Sequence, residues 1–551
     1  MSEYIVNVDL KRKVTPYRGS GRSILFIILP YLEQKKDATK GKTRSFLAFP
    51  YGVLSIATYL NKKAGVLPTV KIVDLNIYTS DQYAPVLGKL LEEMNPDVVG
   101  ISMMFDQSYR YLSAIARQAK KVCPGTKVLI GGASATTAFD EILQDQPDLD
   151  AICYSEGEAA MLRLIDAEDM DTVLSGDPWV TRASLAKTQK PNTVYVEHLN
   201  YVINVNYDLI DRKVYSMREA FSPFATYRNE SDVRQFFLVT SRGCPFKCVF
   251  CAEPSLHGAN MRYADVDAII EHVRFLVDKY GMNVLTIYDD QLLMDTKRAK
   301  ELFRRLAPFK LRLETPNGVT VVFIDEEMAF LMKQAGLDTL PLAIESGSDY
   351  VLHKIIKKPL RLDRVKPVVE ALQKNGIFVQ AYFVIGLPGE REEDRVETVK
   401  CIKEWGLDWS GFSMASPVRG SELYTICKTK GYIPKDMKLG DIEGNQYMIN
   451  APELGLDPET ISRKAYTMNL DVNFVNNRRM HIGDYKTAAS SFEEVVERYG
   501  KHAFGHYFLA EAYRALNANS ALITENIQRY QDLVRNDQEL RTYAMEFGMP
   551  I

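Results

Sequence analysis

Cys244, Cys248 and Cys251 fall within eight residues, in the stretch Ser-Arg-Gly-Cys-Pro-Phe-Lys-Cys-Val-Phe-Cys-Ala-Glu. Thiolates at that spacing, on a loop leaving the apolar run 236–240, can converge on one metal centre. A cubane iron–sulfur cluster ordinarily takes four cysteines. Three together with none close behind leave one iron without a protein ligand, and an open iron can bind a substrate. The competing reading is a zinc site with His257 as fourth ligand. Zinc sites of that class usually place their ligands as separated pairs around a small fold, and nothing around this loop suggests a finger.

Such a loop needs a scaffold, and the residues behind it supply one. Strand-like runs at 284–288, 311–315, 339–344, 378–385 and 409–414 alternate with helical patterns at 266–280, 296–306, 326–335, 362–375 and 392–405. With 236–240 that makes six strands, each with a helix behind it. Gly336, Gly376 and Gly406 stand where helices must stop. Chemistry placed on loops after strands follows the logic of full (β/α) barrels.

Ahead of the cysteines the alternation is different. Short apolar runs at 24–29, 70–75, 98–103, 127–130 and 151–154 are separated by helical patterns at 52–64, 84–94, 109–122 and 136–143. Buried strands between amphipathic helices predict a doubly wound parallel sheet, which binds ligands where strand ends meet loops. Gly131-Gly132 follows a strand and opens a helix, so backbone can approach a ligand there. Residues 166–232 read as a connector in which 193–197 and 201–205 can pair as a hairpin. Beyond Pro458 the pattern is wholly helical.

The bulk properties bound the function. A chain of 551 residues has room for three or four cores. A net charge of −3 offers no electrostatic footprint for a nucleic-acid backbone, so no nucleic-acid partner is expected. Lys11, Arg12, Lys13, Arg18 and Arg22 read as a solvated N-terminal arm. Seven cysteines in so long a chain are not a disulfide framework and fit a reducing, cytoplasmic interior. The run 23–32 is too short to span a bilayer, so no membrane association is expected. Cys401 and Cys427 fall inside helices and read as structural thiols.

The C-x-x-x-C-x-x-C loop, with Phe250 before its last cysteine, resembles the cluster loop of the radical S-adenosylmethionine (SAM) enzymes. In that family SAM chelates the open iron, and the six strand–helix units resemble its partial, TIM-like (β/α)6 barrel. The resemblance implies SAM contacts at four strand ends in chain order, Asp289-Asp290, Asn317-Gly318, Glu345-Ser346-Gly347-Ser348 and Gly386-Leu387-Pro388-Gly389-Glu390. After the sixth strand, Ser416–Tyr424 fills the place of the family segment P-x-P-G-T-x-L-Y, with Arg419 where that segment has proline.

The earlier sheet carries Pro50-Tyr51-Gly52, then Val-Gly-Ile-Ser with Ser102 and Met103, then Gly131-Gly132-Ala133-Ser134, then Ser155-Glu156-Gly157-Glu158. In order and spacing these resemble the cobalamin-binding domain that precedes many radical SAM cores, over residues 20–165. A generic nucleotide-binding sheet is the alternative. No histidine precedes His198, so the domain offers no histidine as lower ligand to cobalt. Tyr31, Arg44 and Phe49, on or beside the loop after the first strand, are the side chains available for that face. Gly483-Asp484-Tyr485, with Ala488, Phe492, Val495 and Val496, resembles part of a tetratricopeptide pair. One and a half units cannot form a solenoid, so this region reads as a cap on the barrel mouth, with a protein-docking surface as the rival.

The expected organisation is an arm (1–22), a Rossmann-like cobalamin domain (23–165), a connector (166–232), a radical SAM barrel (233–457) and an all-α cap (458–551). The resemblance implies a 4Fe-4S cluster, SAM and methylcobalamin as cofactors, and a flavodoxin or ferredoxin as external electron donor. It implies a methyltransferase in which a 5′-deoxyadenosyl radical activates an unreactive carbon, or a phosphinate phosphorus, of a small biosynthetic intermediate. A cyclisation or rearrangement enzyme is the alternative, as is a non-enzymatic cofactor-sensing scaffold. Methylthio-transfer to RNA would need three more N-terminal cysteines, and only Cys123 and Cys153 are there.

Overall fold

A computed structural model describes residues 18–31, 47–186, 191–215, 232–441 and 447–551. Its first layer is a sheet of β1 (Ser23–Ile28), β2 (Thr69–Asp74), β3 (Val98–Ser102), β4 (Lys127–Gly131), β5 (Ala151–Cys153) and β6 (Trp179–Val180), in the order β2-β1-β3-β4-β5-β6. All neighbours run parallel except β6, which pairs antiparallel with β5, so the sheet continues past residue 165. Strand periodicity divides β1 between two cores: Leu25 and Ile27 pack with the helices on one face, Ile24, Phe26 and Ile28 with those on the other. The second core is continuous with the barrel behind it, and helix Tyr51–Lys63 is shared between the two. The order reverses between β1 and β3, the switch point at which doubly wound sheets hold ligands.

The barrel comprises β7 (Gln235–Leu238), β10 (Val284–Ile287), β11 (Arg312–Glu314), β12 (Thr339–Glu345), β13 (Phe378–Ile385) and β14 (Trp409–Met414). Two parallel arcs, β11-β10-β7 and β12-β13-β14, are joined at a seam by the single bridges Leu313–Leu337 and Val319–Leu342. A short antiparallel pair, β8 (Ser241–Arg242) with β9 (Arg262–Tyr263), closes the cysteine loop between them. Helices Val266–Tyr280, Thr296–Leu306 and Glu392–Trp405 coincide with their sequence patterns.

Three expectations change. Residues 193–197 and 201–205 form no hairpin; Val196, Val202, Ile203 and Val205 are instead buried in the core shared by sheet and barrel, a larger apolar sink than a two-stranded ribbon can provide. The helix at 136–143 is two, Ala133–Thr137 and Phe139–Asp145, broken at Ala138. Arg22 is no part of a solvated arm. Its guanidinium donates to the carbonyls of Leu164 and Ile165 at the end of helix Glu158–Asp166, while Lys11, Arg12 and Lys13 lie outside the described residues.

The C-terminal helices have their own core around Leu470, Phe474, Phe492, Phe504 and Tyr530. They dock chiefly on the outer edge of the barrel. The Asn473 side-chain amide accepts from Ser410 N at 2.8 Å and donates to Ser410 O at 2.7 Å, continuing the ladder of the edge strand β14. Buried Asp408 anchors the same junction through Arg478 (2.8 Å) and Arg479 (2.6 Å). At the mouth, Ile461 and Tyr447 cover Gly386, and Ser462 donates to the Met414 sulfur at 3.4 Å. No helix among the described residues is long and apolar enough to cross a membrane.

Candidate functional site

The cysteine loop is held by backbone from three directions. Cys244 N donates to Gly258 O (3.1 Å), Val249 N to Ile356 O (3.0 Å) and Leu423 N to Val249 O (2.8 Å). Gly243 enters the loop at a φ of +95°, and a Cβ there would come within 2.4 Å of Asn260 O, so only glycine fits. All three thiols are free. Burial pushes Cys248 up to about 11 and Cys251 up to about 12, and the thiols raise one another through space. They lie within electrostatic reach of each other and hold their protons until a cation displaces them. Among the described residues no three His, Cys, Asp or Glu side chains gather on a single ion, while a cubane takes its thiolates at separate corners. His257 is engaged elsewhere: its Nδ1 lies 2.8 Å from Glu156 Oε1. The donor set and the glycine-only entry fit an iron–sulfur cluster better than zinc.

Glu156 is the hub of the interface between sheet and barrel. It accepts from Arg262 NH1 (2.8 Å) and NH2 (2.6 Å), and Arg242 NH1 lies 3.3 Å away. Neighbouring Glu158 accepts from Arg242 NH2 (2.8 Å) and Ser55 (2.5 Å). Burial would push the Glu156 carboxyl up, but Arg242, Arg262 and His257 outweigh it and hold the group well below the usual carboxylate range. The expected cobalamin contact at Glu156 is therefore a clamp gripping both ends of the cysteine loop, through β8 and β9. Gly157 packs against helix Tyr51–Lys63, where a Cβ would come 2.7 Å from Ile56.

The remaining cobalamin candidates divide in the same way. Met103 is wholly buried in the sheet core, and Ser134 Oγ donates to Met104 O at 3.0 Å. Tyr51 is buried beside the Val239 backbone, its hydroxyl without a well-formed hydrogen bond. Phe49 stacks on Phe237 at 4.6 Å, linking the two domains. Gly52 has open space where a Cβ would stand, Ser102 and Gly131 are part-exposed at adjacent strand ends, and Gly132 abuts the Met103 backbone with a φ of +109°. Tyr31 packs on Phe105 with ring centroids 4.6 Å apart and planes tilted by 51°, across the β1–β3 switch point; Arg44 lies outside the described residues. The fit to a large planar ligand thus rests on backbone and small residues at the ends of β3 and β4, beside helix Tyr51–Lys63.

On the barrel, Asp289 turns inward and accepts from Thr240 N (2.5 Å), Thr240 Oγ1 (2.6 Å) and Ser241 Oγ (2.6 Å), fixing the strand that enters the cysteine loop. Asp290 faces Glu253, two residues beyond Cys251. Burial first, then Asp290's charge, pushes the Glu253 carboxyl up, so the pair keeps a proton at neutral pH, and Glu253 Oε1 is buried without a partner. Asn317 is exposed and donates to Tyr288 O at 2.8 Å. Glu345 sits at a bulge with φ of +74°, uncommon for a residue with a side chain, and pairs with buried Lys358 at 2.9 Å. Both act electrostatically on Cys248. Lys358 carried no signal in the sequence beyond a Lys-Lys pair. Ser346 bonds within its own turn and to Thr398. Gly386 N donates to Glu390 at 2.5 Å, its carbonyl accepts from Tyr447, and Pro388 in the same turn is half-buried, as is Phe250 in the cysteine loop.

Residues 238–402 match the Radical SAM superfamily and residues 41–165 the B12 binding domain. Cytidylyl-2-hydroxyethylphosphonate methyltransferase of Streptomyces wedmorensis is 30% identical over 421 residues, covering 71% of this chain and 77% of that protein. Anaerobic magnesium-protoporphyrin IX monomethyl ester cyclase of Rubrivivax gelatinosus is 25% identical over 68% of this chain and 65% of that protein. The fold is shared with the radical SAM methyltransferase TsrM of Kitasatospora setae, solved with cobalamin and a [4Fe-4S] cluster, at a TM-score of 0.58, 14% identity and coverage of 94% and 100%. A doubly wound sheet, clamped through Glu156 to a three-cysteine loop on a partial barrel, matches both halves of that pairing. The chain belongs to the cobalamin-dependent radical SAM methyltransferases.

Proposed function

We propose that this methyltransferase places a methyl group on an unactivated carbon, or on a phosphinate phosphorus, of a small biosynthetic intermediate lying between the barrel mouth and the sheet. The carrying observation is the Glu156 clamp, which ties the turn after the last parallel strand of the sheet to the cysteine loop and supports a reading in which the two cofactor sites face each other. When bound, the cluster, SAM and cobalamin supply a radical initiator and a transferable methyl group.

The chain's own residues position and insulate. Cys244, Cys248 and Cys251 hold the cluster, and Asp289 fixes the strand leading to it. Lys358 with Glu345, the Glu253–Asp290 carboxyl pair, and Asn317 offer polar groups to SAM, with Ser346, Gly386 and Pro388 shaping its turns. The ends of β3 and β4, together with Gly52, receive cobalamin through backbone at Ser102, Gly131 and Gly132. Pro245 and Lys247 are exposed between the cysteines, which supports electron entry there from a small soluble carrier such as a flavodoxin or ferredoxin in a reducing cytoplasm.

Anaerobic incubation with SAM, cobalamin, reductant and candidate substrates tests this reading. A product heavier by one methylene, with 5′-deoxyadenosine beside it, is expected. Similarity to the cyclase gives a second reading, ring closure without methyl gain; deoxyadenosine with an unmethylated, rearranged product would favour it.

A further inference from the structure

Arg419 is the bulkiest fully buried side chain among the described residues. It stands in the loop after β14, where the family's segment has a proline, and its guanidinium crosses to the sheet domain. Nε and NH2 form a fork on Glu141 (3.3 and 3.1 Å), NH1 reaches Asp106 Oδ2 (3.2 Å), and NH2 also donates to Met437 O (3.4 Å). Asp106 lies just beyond β3, and Glu141 on Phe139–Asp145, the second of the two helices after the Gly131-Gly132 turn. The neighbouring Gly420 has a φ of +85°, and a Cβ there would come 2.6 Å from Thr137 Cγ2; its carbonyl accepts from Ser255, just behind the cysteine loop, at 3.3 Å. One tight turn of the barrel is thus wedged between both sheet loops that border the cobalamin site and the helix after the cluster.

We propose that Arg419 is a positioning residue that locks the sheet domain against the barrel mouth and so aligns cobalamin with SAM. The Glu156 clamp holds the cysteine-loop side of the interface, and Arg419 holds the side formed by the last barrel strand. Without Arg419 the sheet pivots about Glu156, and Asp106 and Glu141 are left as a like-charged pair beside a void. Because a fork on a carboxylate is matched by guanidinium and not by ammonium, lysine restores the charge but not the geometry.

The proposal rests on the methyltransferase reading, and the test separates the two. Full-length wild-type and Arg419→Ala proteins, reconstituted with iron and sulfide and given a chemical one-electron reductant, are assayed for two SAM-dependent steps that need no substrate. Deoxyadenosine formation from SAM without cobalamin uses the barrel alone; methylation of reduced cobalamin by SAM needs both domains in register. Arg419→Ala is expected to leave the first unchanged and to slow the second by about tenfold or more, as a misalignment of about an ångström does. Arg419→Lys is expected to recover part of it, and bound hydroxocobalamin should leave Arg419→Ala faster than wild type. Cobalamin methylation and hydroxocobalamin release at wild-type rates would overturn the latch, as would a parallel fall in both SAM-dependent steps. If Arg419→Ala does not fold, Glu141→Gln decides: cobalamin methylation falling alone supports the latch, and no separation of the two steps overturns it. A wild-type protein that methylates no cobalamin contradicts the methyltransferase reading, while the hydroxocobalamin release rates still judge the latch.

Discussion

Arg262 grips Glu156 with both terminal nitrogens, at 2.8 and 2.6 Å, joining the last turn of the parallel sheet to the strand that closes the cysteine loop. The pair is almost fully buried on the carboxylate side, and Arg242 adds a second cation 3.3 Å away. Glu156→Gln keeps the shape and removes the charge, leaving two arginines under-compensated. We expect a loss of about 3–5 kcal/mol, the range for breaking a buried ion pair from one side, read as a lower urea midpoint with faster loss of bound iron. An unchanged midpoint would contradict the clamp.

Adjacent aspartates are expected to behave differently. Asp289→Ala removes the carboxylate that accepts from Thr240 N and from the Thr240 and Ser241 hydroxyls, at about 1–3 kcal/mol for each buried group left unpaired, and should lower iron incorporation. Asp290→Asn imitates the proton that the Asp290–Glu253 pair already holds and should leave the melting temperature nearly unchanged. Equal effects from the two would contradict these roles.

Much of this arrangement is legible in the chain. Strands 378–385 and 409–414 and helix 392–405 coincide with their patterns because period and glycine stop agree: Gly406 ends its helix at a φ of +66°. The cysteine loop is equally plain, since three thiols in one loop have few other uses. Illegible were the long-range partners. Glu156, Ser134, Met103 and Asp289 sit in motifs expected from the sequence to border a ligand, yet their side chains serve packing and clamps, and local sequence does not say which face of a turn meets a ligand. Residues 193–205 misled because valines spaced for a strand satisfy a groove between domains equally well.

The edge of the barrel gives a third prediction. Asn473→Ala removes both hydrogen bonds to the Ser410 backbone. Amide exchange at Ser410 should accelerate about tenfold or more, matching about 1–3 kcal/mol of lost protection, while Arg478 and Arg479 keep the helices docked on Asp408. Exchange at the wild-type rate would show that the ladder ends at β14.

His502 caps helix Ala503–Ala515 by accepting from Gly505 N at 2.9 Å through Nδ1, an acceptor only while that nitrogen is unprotonated. Burial lowers its pKa from 6.5 to about 4. An unfolded His502 takes a proton near pH 6.5 and the folded one resists until about pH 4, so its contribution is present above 6.5 and lost as pH falls through that window. The loss amounts to about 3 kcal/mol. His502→Asn, which caps without titrating, should flatten the pH dependence of the C-terminal helices' unfolding between pH 7 and 4.5. An identical slope in the variant would assign the dependence elsewhere.

The central claim is that a cluster on Cys244, Cys248 and Cys251 works beside cobalamin held by the clamped sheet. Protein reconstituted anaerobically with iron, sulfide and cobalamin, then given reductant and SAM carrying a trideuterated methyl group, tests it in one mass spectrum. The account predicts cobalamin heavier by one trideuterated methyl group together with 5′-deoxyadenosine, the latter abolished by Cys248→Ala. Unlabelled cobalamin, or deoxyadenosine persisting in Cys248→Ala, would contradict it.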